Sequence, residues 1–280
     1  IIKHSVLKER KYYKLFISLS NFIIQGFKMR DILIYFAIKY HGDYRLMVNA
    51  IKEKEKVDEE ELNKIRKKNY QVLTILDDDY PFELKSVYMP PLVLFYKGDI
   101  SLINGKNKLA VIGSRKPSEY GINATNKILD ELFLQCEAII VSGMAAGIDS
   151  IAHLSSLNHK MKTIAILGCG IDYCYPSENL MLKKEIEKNG LVLSEYPGNT
   201  IPNKNFFPLR NRIIAGISKA VLVTDAKIKS GTQITVRFAL EQGKEIYAIP
   251  HSIFDNSFCN ELIKQGAIPV LKGQDLEEFY

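Results

Sequence analysis

Cysteine is scarce, with four in 280 residues at Cys136, Cys169, Cys174 and Cys259. None forms a CxxC pair or takes a metal-ligand spacing, which excludes a disulfide framework and a zinc module. A reducing cytoplasm is the expected compartment. Long apolar runs are missing as well. Lys3, Lys8, Arg10, Lys11 and Lys14 precede an apolar stretch from Leu15 to Phe27, a superficial likeness to a signal peptide. No small-residue cleavage site follows it, and Ser18, Ser20, Asn21 and Gln25 keep it short of the roughly 18 residues a membrane span needs. Leu15, Leu19, Phe22 and Ile23 recur at helical spacing, so an amphipathic helix over 8–22 is predicted and no membrane partner. The sequence opens on Ile1 rather than Met, so the natural start is expected elsewhere.

Nucleotide fingerprints are absent too. There is no GxGxxG and no GxxxxGK[ST], which disfavours NAD, FAD and P-loop ATP hydrolysis. No cofactor and no metal is expected. No Ser–His–Asp set stands out. His153 lies four residues after Asp149, a spacing that fits a base with its orienter, but a packed histidine on an apolar helix is the preferred reading. The cysteines read as small core residues.

What is present is ordinary for a globular protein: 46% hydrophobic, 25% charged and a mean hydropathy of -0.07. The net charge of +6 is unevenly placed. Residues 1–70 hold 16 Lys/Arg against 9 Asp/Glu, while the rest hold 22 against 23. A Lys/Glu-rich stretch such as 52–68 usually means a solvated helical face, so bulk charge supports nucleic-acid binding only weakly.

Helical spacing and turn signals at Gly26 and Gly42 predict short helices over 8–22, 29–40, 45–51 and 58–69, a small all-helical domain at 1–70. A connector, 71–107, carries strand-like segments 72–76 and 92–96 separated by Tyr80-Pro81 and Pro90-Pro91. From Lys108 the pattern changes. Apolar strands at 109–112, 138–141, 163–167, 191–194, 220–224 and 245–249 alternate with helical segments, which indicates a mostly parallel sheet covered on both faces. The fold class is α/β, with a Rossmann-like domain spanning 71–280 together with its connector.

Ligands of such sheets collect beyond the carboxyl ends of the strands. There the sequence places Gly113-Ser114-Arg115, then Ser142-Gly143 through Gly147 to Asp149, then Gly168-Cys169-Gly170 and Glu195-Tyr196-Pro197, and finally Asp225 to Thr232. Glycine turns and helix N-termini present backbone N–H groups to anions. Tight turns need glycine in any case, and for Gly168 and Gly170 that structural reading is preferred. The fixed cations Arg115, Arg210, Arg212, Lys227 and Lys229 raise the anion reading, because guanidinium groups grip phosphate oxygens bidentately. Ser114, Ser142, Gly143, Gly147, Asn211, Ser230, Gly231 and Thr232 supply amides, hydroxyls or side-chain amide groups. The competing reading pairs Arg210 or Arg212 internally with Asp149, Asp172, Glu195 or Asp225; for Asp149 and Glu195 that structural role is favoured over catalysis.

Taken in order, these residues resemble the DNA-processing protein A (DprA/Smf) family. The resemblance runs over about 200 residues, from Asp79-Tyr80-Pro81 and Tyr96-Lys97-Gly98 through Gly113-Ser114-Arg115 and the Ser142–Asp149 turn. It continues through Tyr175-Pro176, Ser194-Glu195-Tyr196-Pro197, the run Phe207-Pro208-Leu209-Arg210-Asn211-Arg212-Ile213-Ile214-Ala215-Gly216, Ser230-Gly231-Thr232 and Gly266-Ala267. It implies a sterile-alpha-motif-like domain before an extended Rossmann domain that forms a homodimer. It also implies a non-enzymatic function, in which incoming single-stranded DNA is protected and RecA recombinase is loaded on it during natural transformation. Phosphate binding is then expected at Gly113, Ser114, Arg115, Ser142, Gly143, Gly147, Arg210, Asn211, Arg212, Lys227, Lys229, Ser230, Gly231 and Thr232, and base stacking at Phe206 or Phe207.

The chain departs from the family where Ala146 replaces a usual lysine, which should weaken one phosphate contact that Lys116, Lys227 or Lys229 would replace. Gln233, His251 and Phe258 also depart, the last two near the region where relatives are expected to contact partners. The alternative reading is a nucleotide-processing enzyme similar to the lysine-decarboxylase-like phosphoribohydrolases. Those carry Pro-Gly-Gly-x-Gly-Thr followed by Glu, where this chain has Lys229-Ser230-Gly231-Thr232-Gln233.

Overall fold

The computed structural model describes residues 28–228 and 230–280. The helix expected over 8–22 and the side chain of Lys229 lie outside the described residues. Among the described residues three helices come first, α1 (Met29–Lys39), α2 (Tyr44–Lys52) and α3 (Glu59–Lys68). Asp43 and Asp58 cap α2 and α3 by accepting from backbone N–H groups of the first turn, as short polar side chains do at helix starts. In α1, Ile32 through Ala37 are all buried, because this helix is covered on more than one side. It packs on α2 and α3 and also on β1 (Val72–Thr74), β2 (Val93–Gly98) and β6 (Leu191–Tyr196). Arg30 reinforces the joint by donating to the Val72 carbonyl at 3.0 Å and pairing with Asp77 at 2.8 Å.

Among the described residues the sheet has nine strands in the order β1-β2-β6-β5-β4-β3-β7-β8-β9. The strands not yet given ranges are β3 (Lys108–Ile112), β4 (Ile139–Ser142), β5 (Thr163–Gly170), β7 (Ala220–Val223), β8 (Glu245–Ala248) and β9 (Ile268–Pro269). From β6 to β9 every pairing is parallel, while β2 pairs antiparallel with β1 and with β6. The fold is α/β, mostly parallel, as expected. The two connector strands extend it as an antiparallel edge.

Strand residues alternate between two apolar layers, as period-2 geometry requires. Ala110, Ile112, Val221, Val223, Ile246 and Ala248 face one core with α8 (Phe206–Ile217) and α9 (Thr232–Glu241). Leu109, Val111, Ala220, Leu222, Tyr247 and Ile249 face the other with α5 (Glu119–Phe133) and α6 (Ile148–Asn158). The helix between β5 and β6 is α7 (Leu180–Asn189), and α4 (Phe82–Lys85) and α10 (Phe258–Lys264) complete the set. Among the described residues no helix is long and apolar enough to cross a membrane.

This strand order decides where a ligand can go. The chain moves outward from β3 through β4 and β5 to β6, then returns to place β7 on the other side of β3. The connections after β3 and β7 therefore diverge, and the crevice between them is the topological switch point of an open α/β sheet.

Candidate nucleic-acid interface

A cleft of about 810 Å³ opens at that switch point. Its walls are the β3 exit (Gly113, Ser114, Arg115), the β7 exit (Lys227, Ser230, Gly231, Thr232) and the first turns of α8 (Phe207, Arg210, Asn211).

The two exits are fastened to each other. The Ser114 amide donates to the Asp225 carbonyl at 2.6 Å, and the Asp225 carboxylate accepts from the amide and hydroxyl of Ser118, both at 2.8 Å. Thr232 donates its hydroxyl to the Gly113 carbonyl at 3.3 Å. A Cβ on Gly113 would lie 2.6 Å from the Asp225 carbonyl oxygen, so the closeness of these strands demands glycine there. Gly147, which starts α6, is at φ 82°, and a Cβ would meet the Ser114 carbonyl at 2.3 Å. Both constraints admit only glycine.

Three cations stand exposed on the cleft wall: Arg115, Lys204 and Lys227. Among the described residues none of them forms an ion pair, so their charge is uncompensated at short range. Arg210 is 4% exposed and forms the floor. Its Nη1 donates to the Gly143 carbonyl at 2.6 Å and also to the Ile166 carbonyl, and its Nε donates to Asn211 Oδ1 at 3.1 Å. Among the described residues Nη2 has no acceptor. Burial pushes the Arg210 pKa down, offset in part by Asp149 and assisted by Arg115, yet an arginine stays charged at any physiological pH. The Ser230 hydroxyl is buried at the edge of the same cleft, with no hydrogen-bond partner among the described residues.

Other expected contacts lie elsewhere. Arg212 is 1% exposed and points into the core, where Nη1 and Nη2 meet the two oxygens of Glu195 at 2.7 Å each. Its remaining donors go to the carbonyls of Tyr88, Met89 and Leu209. Burial opposes its charge, but Glu195 outweighs that and holds the guanidinium above its ordinary value. The internal pairing of Arg212 with Glu195 therefore replaces the expected phosphate contact. Ser142 is also buried, donating to the Val111 carbonyl at 2.7 Å. The Gly143 amide is taken by Asp149 Oδ2 at 3.1 Å, and that carboxylate oxygen also accepts from the Ala145 amide at 3.3 Å. Ser142, Gly143 and Gly147 thus shape the loop behind the cleft without lining it.

The aromatics divide as well. Phe206 stacks on Tyr196 with centroids 3.9 Å apart and lines no part of the cleft. Phe207 does line it. A Cβ on Gly168 would meet that ring at 2.7 Å, so the glycine is a packing requirement, and the Arg115 guanidinium lies 5.5 Å from the ring centroid. Lys204 and Tyr175 were not among the expected contacts. Lys204 sits in a polar turn with no motif of its own, and Tyr175 was legible only as part of the Tyr175-Pro176 match.

His153 is packed, not catalytic. Thr163 donates its one hydroxyl proton to the Ile140 carbonyl at 2.9 Å, so its oxygen accepts from His153 Nδ1 at 2.6 Å. Burial and the nearby Arg210 push the pKa of His153 down to about 3. Below an unfolded value near 6.5 the unfolded chain binds a proton that the folded chain refuses until about pH 3. The contribution of neutral His153 is therefore complete above pH 6.5 and is lost as pH falls toward 3. Denaturant midpoints measured from pH 7 to 4 should fall less steeply for His153→Gln than for the parent chain.

A Rossmann-like sheet whose switch-point cleft is built from unpaired cations, glycine turns and a helix N-terminus defines an α/β protein with a positively charged cleft. Comparison with known proteins shows its family. The family described as DNA recombination-mediator protein A matches residues 71–280, and this chain belongs to it. DNA processing protein DprA of Streptococcus pneumoniae is 44% identical over 226 residues, covering 80% of this chain and 79% of the relative. The Bacillus subtilis protein of that name is 42% identical over 217 residues, covering 76% and 72%. Among solved structures, the S. pneumoniae protein superposes with a TM-score of 0.75 at 36% identity, covering 93% of this chain and 95% of the other. DNA processing protein A from Helicobacter pylori, whose structure describes a single-stranded DNA binding mode, gives 0.67 at 32% identity and covers 74% and 94%.

Proposed function

We propose that the switch-point cleft binds single-stranded DNA through its phosphates, and that the protein acts there as a recombination mediator of natural transformation. The observation that carries this reading is the convergence of Arg115, Lys204 and Lys227, none of them ion-paired, on a cleft floored by the Arg210 guanidinium and edged by the Ser230–Thr232 turn. Such groups recognise a backbone, not a sequence. Binding is expected to be sequence-independent and to weaken steeply with salt.

The carboxylates near the strand exits favour binding over hydrolysis. Glu195 is consumed by Arg212, Asp149 by backbone amides and Asp225 by Ser118. Of the three only Asp149 lines the cleft, and its Oδ2 is engaged by the Gly143 and Ala145 amides, which weighs against a phosphoribohydrolase-like activity.

A salt titration of single-stranded DNA binding tests the proposal. Arg115→Ala should leave the fold intact, since the side chain is exposed, and should reduce the magnitude of the log K against log salt slope by about 0.7. Ala146→Lys should tighten binding. Ala146 is exposed and adjoins Gly147, whose backbone touches the Ser114 turn. Parent-like slope and affinity in folded Arg115→Ala would remove the β3 exit from the site.

Homodimerisation through the Rossmann domain and transfer of the strand to RecA in the cytoplasm complete the proposal. Ile253 and Phe254, 88% and 92% exposed in the loop after β8, favour a protein partner at that end of the sheet. Light scattering reporting a monomer mass would set the dimer aside.

A further inference from the structure

The loop behind the cleft, between β4 and α6, is held in a shape that its own sequence does not favour. Met144 is fully buried and sits at φ 56°, in the left-handed region that residues other than glycine, asparagine and aspartate seldom enter. Such a conformation persists only where the surroundings over-determine it. Here they do. Three successive carbonyls each accept from a different side chain: Gly143 from Arg210 Nη1 at 2.6 Å, Met144 from Asn179 Nδ2 at 2.9 Å and Ala145 from Ser150 Oγ at 2.6 Å. The amides of Gly143 and Ala145 donate to Asp149 Oδ2.

Asn179 secures two of those three carbonyls. It ends the short turn Ser177–Asn179, which follows the Tyr175-Pro176 pair and leads into α7, and it lines no part of the cleft. One N–H of its amide goes to the Met144 carbonyl. The other goes to Ser150 Oγ at 2.9 Å, and that hydroxyl passes its single proton to the Ala145 carbonyl. Because the Met144 carbonyl can only accept, the Asn179 amide must present its nitrogen on that side.

The strained torsion is also the one that aims the Gly143 carbonyl. Rotation about the Met144 N–Cα bond turns the rigid peptide plane between residues 143 and 144, so relaxation to negative φ would swing the Gly143 oxygen off the Arg210 guanidinium. That guanidinium floors the cleft with Nη2 left over. We propose that Asn179 is a positioning residue for phosphate binding: by fixing the Met144 and Ala145 carbonyls it keeps the strained loop closed, and the loop keeps Arg210 oriented so that Nη2 meets a phosphate. The inference rests on the phosphate-binding reading of the cleft and adds to it a residue that acts without touching the strand.

The test uses the full chain, with a short thymidine homopolymer titrated over a range of salt concentrations. Asn179→Leu, similar in size and without donors, should reduce the magnitude of the log K against log salt slope by about 0.7, the value for one phosphate contact, although no cation has been removed. Counterion release then predicts a loss of about 4-fold in affinity near 0.15 M salt. Ser150→Ala, a milder change at the same loop, should move the slope in the same direction, and it supplies the readout if Asn179→Leu does not fold. A residue that merely packs would lower the urea midpoint and leave the slope alone. A parent-like slope in the folded variants, whatever their midpoint, therefore overturns the assignment of Asn179. Salt-independent binding by the parent chain, or none, instead overturns the phosphate reading, and this inference with it.

Discussion

Arg212→Met is expected to destabilise the protein by about 3–5 kcal/mol, the usual cost of breaking a buried ion pair by removing one partner. The substitution strands the Glu195 carboxylate, itself 7% exposed, together with the Met89 carbonyl that Arg212 holds through both Nε and Nη2. It also releases the connector, since among the described residues this side chain alone hydrogen-bonds Tyr88 and Met89 to α8. Set against a total stability on the order of 5–15 kcal/mol, a loss of that size leaves little margin. The urea midpoint should drop sharply. In the double variant with Glu195→Leu, much of the loss should return, because a buried pair replaced by apolar groups of similar size is often neutral. A parent-like midpoint combined with loss of DNA binding would move Arg212 back to the phosphate site.

Removing the three exposed cations together should have the largest effect on binding. Arg115→Ala, Lys204→Ala and Lys227→Ala combined should reduce the magnitude of the single-strand salt slope by about 2, at roughly 0.7 per neutralised charge. Counterion release alone then predicts a loss of roughly 50-fold in affinity near 0.15 M salt. Stability should hardly change, since exposed charges without partners contribute little to it. Thermal melts and binding isotherms on the same preparation separate the two effects. An unchanged slope in a folded triple variant would show that DNA does not enter this cleft.

The layered fold was legible because it rests on local pattern. Segments such as 109–112 and 246–249 are apolar at consecutive positions since both faces are covered, and the observed β3 and β8 overlap them. β9 escaped notice. It has two residues, Ile268 and Pro269, and is a strand only because Tyr247 and Ala248 pair with it. Two residues carry no periodicity. The antiparallel attachment of β2 to β6 was equally hidden, because alternation shows that a segment is a strand without naming its neighbour.

The division of the site residues shows the same limit at finer scale. Arg210 and Arg212 belong to one short run and read alike as phosphate grips. They are two residues apart on α8, about 200° around a helix of 3.6 residues per turn, so their side chains leave on opposite sides. One floors the cleft against Gly143 and Ile166; the other enters the core against Glu195 and the connector. The expectation that both would grip phosphate overlooked this divergence, and which of the two faces the cleft depends on how α8 lies across the sheet.

By itself the sequence determined the α/β class, the positions of the glycine turns and the supply of cations at the strand exits, because each follows from residue types within a few positions of one another. The tertiary structure alone decided that β3 and β7 are neighbours. That adjacency brings Arg115 to Lys227 across more than a hundred residues, places Lys204 and Tyr175 on the same wall, and withdraws Arg212, Ser142 and Phe206 into packing. Strand pairing and helix orientation are set by burial of both faces of the whole sheet, a property of the assembled core that no local window of sequence contains.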